Sequence, residues 1–261
     1  MDLNSALINS LSLATATGEL GACLLAARRR LWNRLPYFWG YLVLLVLVDA
    51  LRWFILWRGG PASPAYGWTY WLTQGMLVIA RGAALADVCR AALGHYTGVW
   101  RLARLLLFSA AFLIVVNACF RTGGTSAFSY VIFVERELEV AMMLAMLGLL
   151  LLGRYYGAPL NEPLRGIVRG LAFYSAVVVI SNSILSGPLN ARWEAYWRVF
   201  EIARLFAFAV AVGFWLRALW LPLGSVEGSE LSSGESYDEN TMAVSAGMRS
   251  LNDHLLGLIK R

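Results

Sequence analysis

Seven long apolar runs, joined alternately by arginine-rich and arginine-poor connectors, organise this chain. A run of about 20 apolar residues is long enough to cross a bilayer. Hydrocarbon offers no water to backbone N–H and C=O groups, so such a run has to satisfy them internally as a helix. The sequence therefore predicts an all-α polytopic membrane protein, a seven-transmembrane-helix bundle with its N-terminus outside and its C-terminus cytoplasmic. Of the 261 residues 59% are hydrophobic, against roughly 45–50% in soluble domains.

The apolar runs give expected spans of Ser5–Ala27, Pro36–Trp57, Tyr66–Ala92, a fourth ending near Phe120, Ala127–Leu152, Gly166–Leu185 and Ala191–Trp220. Arg28, Arg29, Arg30 and Arg34 follow the first span and no basic stretch precedes it. A signal peptide has the opposite polarity, and an arginine excess marks the cytoplasmic side. Arg90, Arg101 and Arg104, then Arg154, Arg165 and Arg169, mark the other inner loops. Gly59-Gly60-Pro61, Arg121-Thr122-Gly123-Gly124 and Gly187-Pro188 read as outer turns. Tyr66, Trp68, Tyr70 and Trp71, with Trp193, Tyr196 and Trp197, fall at outer span ends, and Tyr37, Trp39 and Trp220 at inner ones, where aromatic rings anchor in headgroups.

Three units follow: a transmembrane domain over 1–222, a flexible acidic linker over 223–240 and a short amphipathic helix over 241–261. In the last, Val244, Met248, Leu251, Leu255 and Leu258 recur at steps of four and three, a helical stripe too short to stand alone in water. Leu251, Leu255 and Leu258 are the expected contact surface. What they meet is left open among the protein's own inner face, the membrane and a partner protein.

Ionisable groups within the spans carry the strongest functional signal, because a charge at mid-bilayer costs roughly 2.5–3.5 kcal/mol on insertion scales. Asp49/Arg52, Asp87/Arg90 and Glu201/Arg204 are spaced i,i+3 and Glu194/Arg198 i,i+4, so each pair shares a helix face and could neutralise itself. Glu19 stands alone in the first span. A cluster of Asp49, Arg52, Arg81, Glu135, Glu139, Arg198, Glu201 and Arg204 is expected between spans two, three, five and seven, reachable from outside. It reads either as interhelical ion pairs or as a site for a small polar ligand. Asn117 and Asn182 project to similar depths.

Several chemistries are excluded. The single lysine, Lys260, lies in the tail, so no span can form a retinal Schiff base. The two histidines, His95 and His254, fall outside the spans, which removes intramembrane zinc and haem ligation. Neither a G-x-S-x-G elbow nor a G-x-x-x-x-G-K loop occurs. The three cysteines, Cys23, Cys89 and Cys119, sit singly in apolar runs. No catalytic residue, cofactor or metal is expected. The net charge of +6 does not point to nucleic acid: residues 1–221 hold 19 basic and 10 acidic residues, the tail three and six. The basic excess belongs to inner loops, which meet anionic headgroups.

The stretch Leu85-Ala86-Asp87-Val88-Cys89-Arg90 with Tyr96-Thr97-Gly98, and the Gly153-Arg154-Tyr155-Tyr156-Gly157 step, resemble an uncharacterised class of bacterial seven-helix integral membrane proteins. The resemblance implies the same topology and a bacterial inner membrane, and no activity. The arrangement is also similar to seven-helix sensory modules that precede a kinase or cyclase, of which this chain shows no trace. The functional expectation is a non-enzymatic sensory or accessory subunit of a larger membrane assembly, the lipid bilayer around it, a protein partner engaged through the tail and a small polar ligand in the cluster. The alternatives are a small-solute or ion transporter and a purely structural subunit.

Overall fold

The computed structural model describes residues 3–60, 63–94, 96–121, 127–155, 162–185 and 193–220, and tail positions 246, 249–250 and 252–253. Some side chains within those helices, 193–198 among them, lie outside the description. The acidic linker and Leu251, Leu255 and Leu258 also lie outside it. Among the described residues the chain is all-helical. Seven α-helices follow in order: α1 (Leu3–Arg28), α2 (Pro36–Gly59), α3 (Pro64–Leu93), α4 (Thr97–Arg121), α5 (Ala127–Tyr155), α6 (Glu162–Leu185) and α7 (Trp193–Trp220), with one 3-10 turn at Leu31–Asn33. They run 24 to 30 residues, roughly 36–45 Å at 1.5 Å per residue.

Five helices are long and apolar enough to cross a membrane: α1, α2, α4, α6 and α7. Their outward faces expose Trp53, Trp57, Phe108, Phe112, Phe206 and Trp220, apolar surface on a scale that water-soluble monomers rarely show. The remaining two, α3 and α5, carry Arg81 and Asp87, and Glu135 and Glu139. These four side chains are all buried.

The helices form a ring in which α1 packs on α2 and α7, α6 on α5 and α7, and α3 on α2, α4, α5 and α6. Close approach of α6 and α7 depends on two glycines. A Cβ at Gly166 would lie 2.8 Å from Ala218 Cβ, and one at Gly170 2.5 Å from Trp215 Nε1. Trp215 packs edge-on against Phe38, Tyr41 and Phe208, with ring centroids 5.9 to 6.0 Å apart.

The two ends of α2 are finished differently. Between α2 and α3, Gly60 (φ 71°) ends α2 in a left-handed backbone, and Ser63 Oγ accepts from the Tyr66 N–H at 3.2 Å to cap α3, as N-cap serines do. At the other end Leu35 gives α2 no side-chain cap. Asp87 of α3 supplies one, its Oδ2 accepting from the N–H groups of Tyr37 (2.9 Å) and Phe38 (3.4 Å). Arg29 Nη2 donates to the Trp220 carbonyl at 2.6 Å, a cation placed on the negative end of α7. Asn252 Oδ1 of the tail accepts from Gly98 N–H at 2.8 Å, in the first turn of α4. That residue thus rests on the bundle itself.

Candidate functional site

A cavity of about 600 Å³ enters the bundle from the end that holds the α2–α3 turn. It is lined by Thr15 and Glu19 of α1, by Asp49 and Arg52 of α2, and by Tyr66, Tyr70, Gln74 and Arg81 of α3. Tyr174 of α6 and Phe200, Glu201, Arg204 and Phe208 of α7 close it. Ligand sites fall in the range of about 300–1,000 Å³.

Arg81 forms its inner wall. Fully buried, it makes an ion pair with Glu139 of α5, donates from Nε to Tyr41 Oη at 3.3 Å and lies 4.6 Å over the Tyr174 ring. Gln74 Nε2, about two helical turns from Arg81 along α3, donates to Glu135 Oε1 at 2.7 Å. The two buried α5 carboxylates are thus spoken for by α3, and the third, Glu137, pairs with Arg136 beside it, which explains how two helices too polar to lie in lipid can be buried. A buried charge is tolerated when it is paired and hydrogen-bonded.

Among the described residues the other two guanidiniums on the cavity wall have only neutral acceptors. Arg52 donates from Nε to Thr73 Oγ1 at 2.8 Å and from Nη2 to the Tyr70 carbonyl at 3.1 Å and Gln74 Oε1 at 3.2 Å. It also lies 4.5 Å over the Tyr70 ring. Arg204 Nη2 donates to Asn182 Oδ1 of α6, and Arg204 Nε and Asn182 Nδ2 are buried without a partner. Buried Glu19 of α1 lies beside Asp49 of α2. Its Oε1 has no partner.

The site therefore differs from the spacing-based expectation. Asp49, Arg52, Arg81, Glu201 and Arg204 line one cavity, but Glu135 and Glu139 stand behind it in the α3–α5 interface. The side chain of Arg198, like that of Glu194, lies outside the described residues. The self-neutralising pairs do not close. Among the described residues neither Asp49/Arg52 nor Glu201/Arg204 makes an ion pair, and Asp87 caps α2 while Arg90 is exposed. The polar contacts of these groups run mainly between helices, which spacing along one helix cannot show. Asn182 joins the site through Arg204, whereas Asn117 is exposed. Glu19, read as isolated, meets Asp49.

Sequence reasoning missed Gln74, Tyr41 and Tyr174, and took Tyr66, Tyr70 and Trp71 for membrane anchors. These three line the cavity, while neighbouring Trp68 is exposed. The available signal was the three-to-four-residue step Tyr66, Tyr70, Gln74, Leu77, Arg81, one continuous face of α3. Among the described residues no cluster of three or more His, Cys, Asp or Glu could hold a metal ion.

Comparison with known proteins gave no matching family, no matching curated protein and no matching solved structure. What fold and site define is an all-helical chain with five helices able to cross a membrane and a charged cavity between them.

Proposed function

We propose that this chain is a non-enzymatic, multi-pass protein of a bacterial inner membrane that binds a small polar ligand in the cavity and serves as a sensory or accessory subunit. All seven helices cross the bilayer, with the N-terminus and the cavity mouth outside and the tail in the cytoplasm. The observation that carries this reading is the cavity, in which Arg52 and Arg204 present guanidiniums that make no ion pair among the described residues. An ionised side chain inside a membrane protein costs several kcal/mol and marks a functional site by default. The tail supplies the output: Asn252 sits on the first turn of α4, where a cytoplasmic partner could exchange with it.

Native mass spectrometry of the full-length protein, gently extracted from its own membrane, tests the reading. A bound small molecule that is lost in Arg204→Gln is the expected result. A ligand-free chain in every charge state would overturn it. Repeating the measurement without residues 241–261 asks whether a co-purifying protein depends on the tail. The carboxyl pair of buried Glu19 and half-buried Asp49 favours a second reading, a transporter, in which the same ligand is moved across the bilayer. Flux in proteoliposomes separates the two.

A further inference from the structure

The cavity's charges are arranged as two poles. Arg81 is neutralised by Glu139, and Glu201, which also lines the cavity, is exposed; the groups held deeper are Arg52 and Arg204 as a basic pole and Glu19 with Asp49 as an acidic one. Each pole holds buried polar atoms with nothing to bind. Arg204 Nε lacks an acceptor, and Glu19, only 2% exposed, has an Oε1 that receives no hydrogen bond. The poles are close. Asp49 and Arg52 are three residues apart on α2, so their Cβ atoms lie about 5–6 Å apart. Aromatic rings of Tyr70, Tyr174, Phe200 and Phe208 also line the cavity.

We infer that the ligand is a small zwitterion, an amine and a carboxylate on one short aliphatic or aromatic frame. The inference rests on the proposed reading of the cavity and deepens it. The ligand's ammonium lies against Glu19 and Asp49, donating to the open Oε1, and its carboxylate lies between Arg52 and Arg204. The chemistry selects this class by elimination. An anion would satisfy the guanidiniums and leave Glu19 unbonded in a desolvated wall. A cation would do the reverse. A neutral solute would leave both poles open, and a buried polar group left without its partner is what makes such sites selective. Asp49 and Arg52, one from each pole, are spaced i,i+3, which suits the short separation of amine and carboxylate on a single carbon frame, and the rings accept its side chain.

The test uses full-length protein in lipid nanodiscs, with affinity measured by calorimetry. The probes are L-leucine and L-phenylalanine, their decarboxylated counterparts 3-methylbutylamine and phenethylamine, and their deaminated counterparts 4-methylpentanoate and 3-phenylpropionate. At least one amino acid should bind about tenfold or more tightly than both its single-charge counterparts, the discrimination expected where a missing polar partner is left unpaired. Glu19→Gln and Asp49→Asn, each checked for an unchanged thermal midpoint, should weaken the amino acid toward the level of its carboxylate counterpart and leave that counterpart unaffected. Arg204→Gln should weaken the amino acid and the carboxylate together. Equal binding of amino acid and carboxylate, insensitive to Glu19, would overturn the zwitterion while leaving the cavity a ligand site for anions. If no probe binds, the zwitterion falls, and the mass-spectrometric search for a co-purifying molecule still decides the cavity reading by itself.

Discussion

Arg81 and Glu139 are buried to within a few per cent of completely, and each is the other's counter-charge. Removing one partner of a buried pair strands the other, which costs about 3–5 kcal/mol, whereas replacing both by apolar residues of similar volume is often neutral. Arg81→Met should therefore lower stability by several kcal/mol in an SDS titration from mixed micelles, and Arg81→Met with Glu139→Leu should recover most of the loss. If the double variant were as unstable as the single one, the Tyr41 and Tyr174 contacts, not the ion pair, would be what Arg81 contributes. Asp87 acts by another route, since its carboxylate accepts from the first N–H groups of α2. Losing a cap costs about 0.5–2 kcal/mol. Asp87→Ala should show that loss in the same titration and Asp87→Asn a smaller one, because the amide oxygen can still accept.

Helix packing turns on a few small residues. Gly170 faces Trp215 Nε1 and Ala211 O at 2.5 and 3.0 Å from where its Cβ would stand, so Gly170→Ala must push α6 and α7 apart. Overpacking of this kind costs about 1–3 kcal/mol. Gly213, on α7, has nothing within 4 Å of the equivalent point, and Gly213→Ala should be neutral or gain up to about 1 kcal/mol through helix propensity. Thermal midpoints of the two variants give the comparison directly. The helices themselves were largely legible. Hydropathy placed Pro36–Trp57 where α2 runs Pro36–Gly59, and Tyr66–Ala92 where α3 runs Pro64–Leu93. What it could not supply was rotation. Periodicity tells which residues share a face of one helix, not which face meets which neighbour. Spacing accordingly matches Asp87 to Arg90 and not to the end of α2, leaves Glu19 alone, and groups Glu135 and Glu139 with Asp49 and Glu201 without showing that they pair with α3 behind the cavity. The 3-10 turn at Leu31–Asn33, which buries Leu31 between two arginine-flanked ends, gave no periodic signal at all.

At the scale of the whole molecule the two ends differ in charge, and that difference orients the proposed function. Arg28, Arg29, Arg30 and Arg34 gather at the end where Asp87 caps α2 and Asn252 meets α4. The cavity opens at the other end, where Arg58 closes α2. Cytoplasmic loops carry the arginine excess, so the cavity mouth should face outward and its ligand should come from outside the cell. Cysteine labelling decides it. In a background with Cys23, Cys89 and Cys119 replaced by Ala, Arg58→Cys and Asn33→Cys each place one thiol at an exposed position, at opposite ends of α2. A membrane-impermeant maleimide should label the Arg58→Cys protein in intact cells and the Asn33→Cys protein after lysis alone. The opposite pattern would turn the cavity toward the cytoplasm and make its ligand a metabolite of the cell, with the tail exported. Labelling of both thiols in intact cells would place the two ends on one side and remove α2 from the membrane. Only the first pattern lets a solute outside the cell reach Arg52 and Arg204 while a cytoplasmic partner reaches the tail, the separation of input from output that a sensory subunit requires.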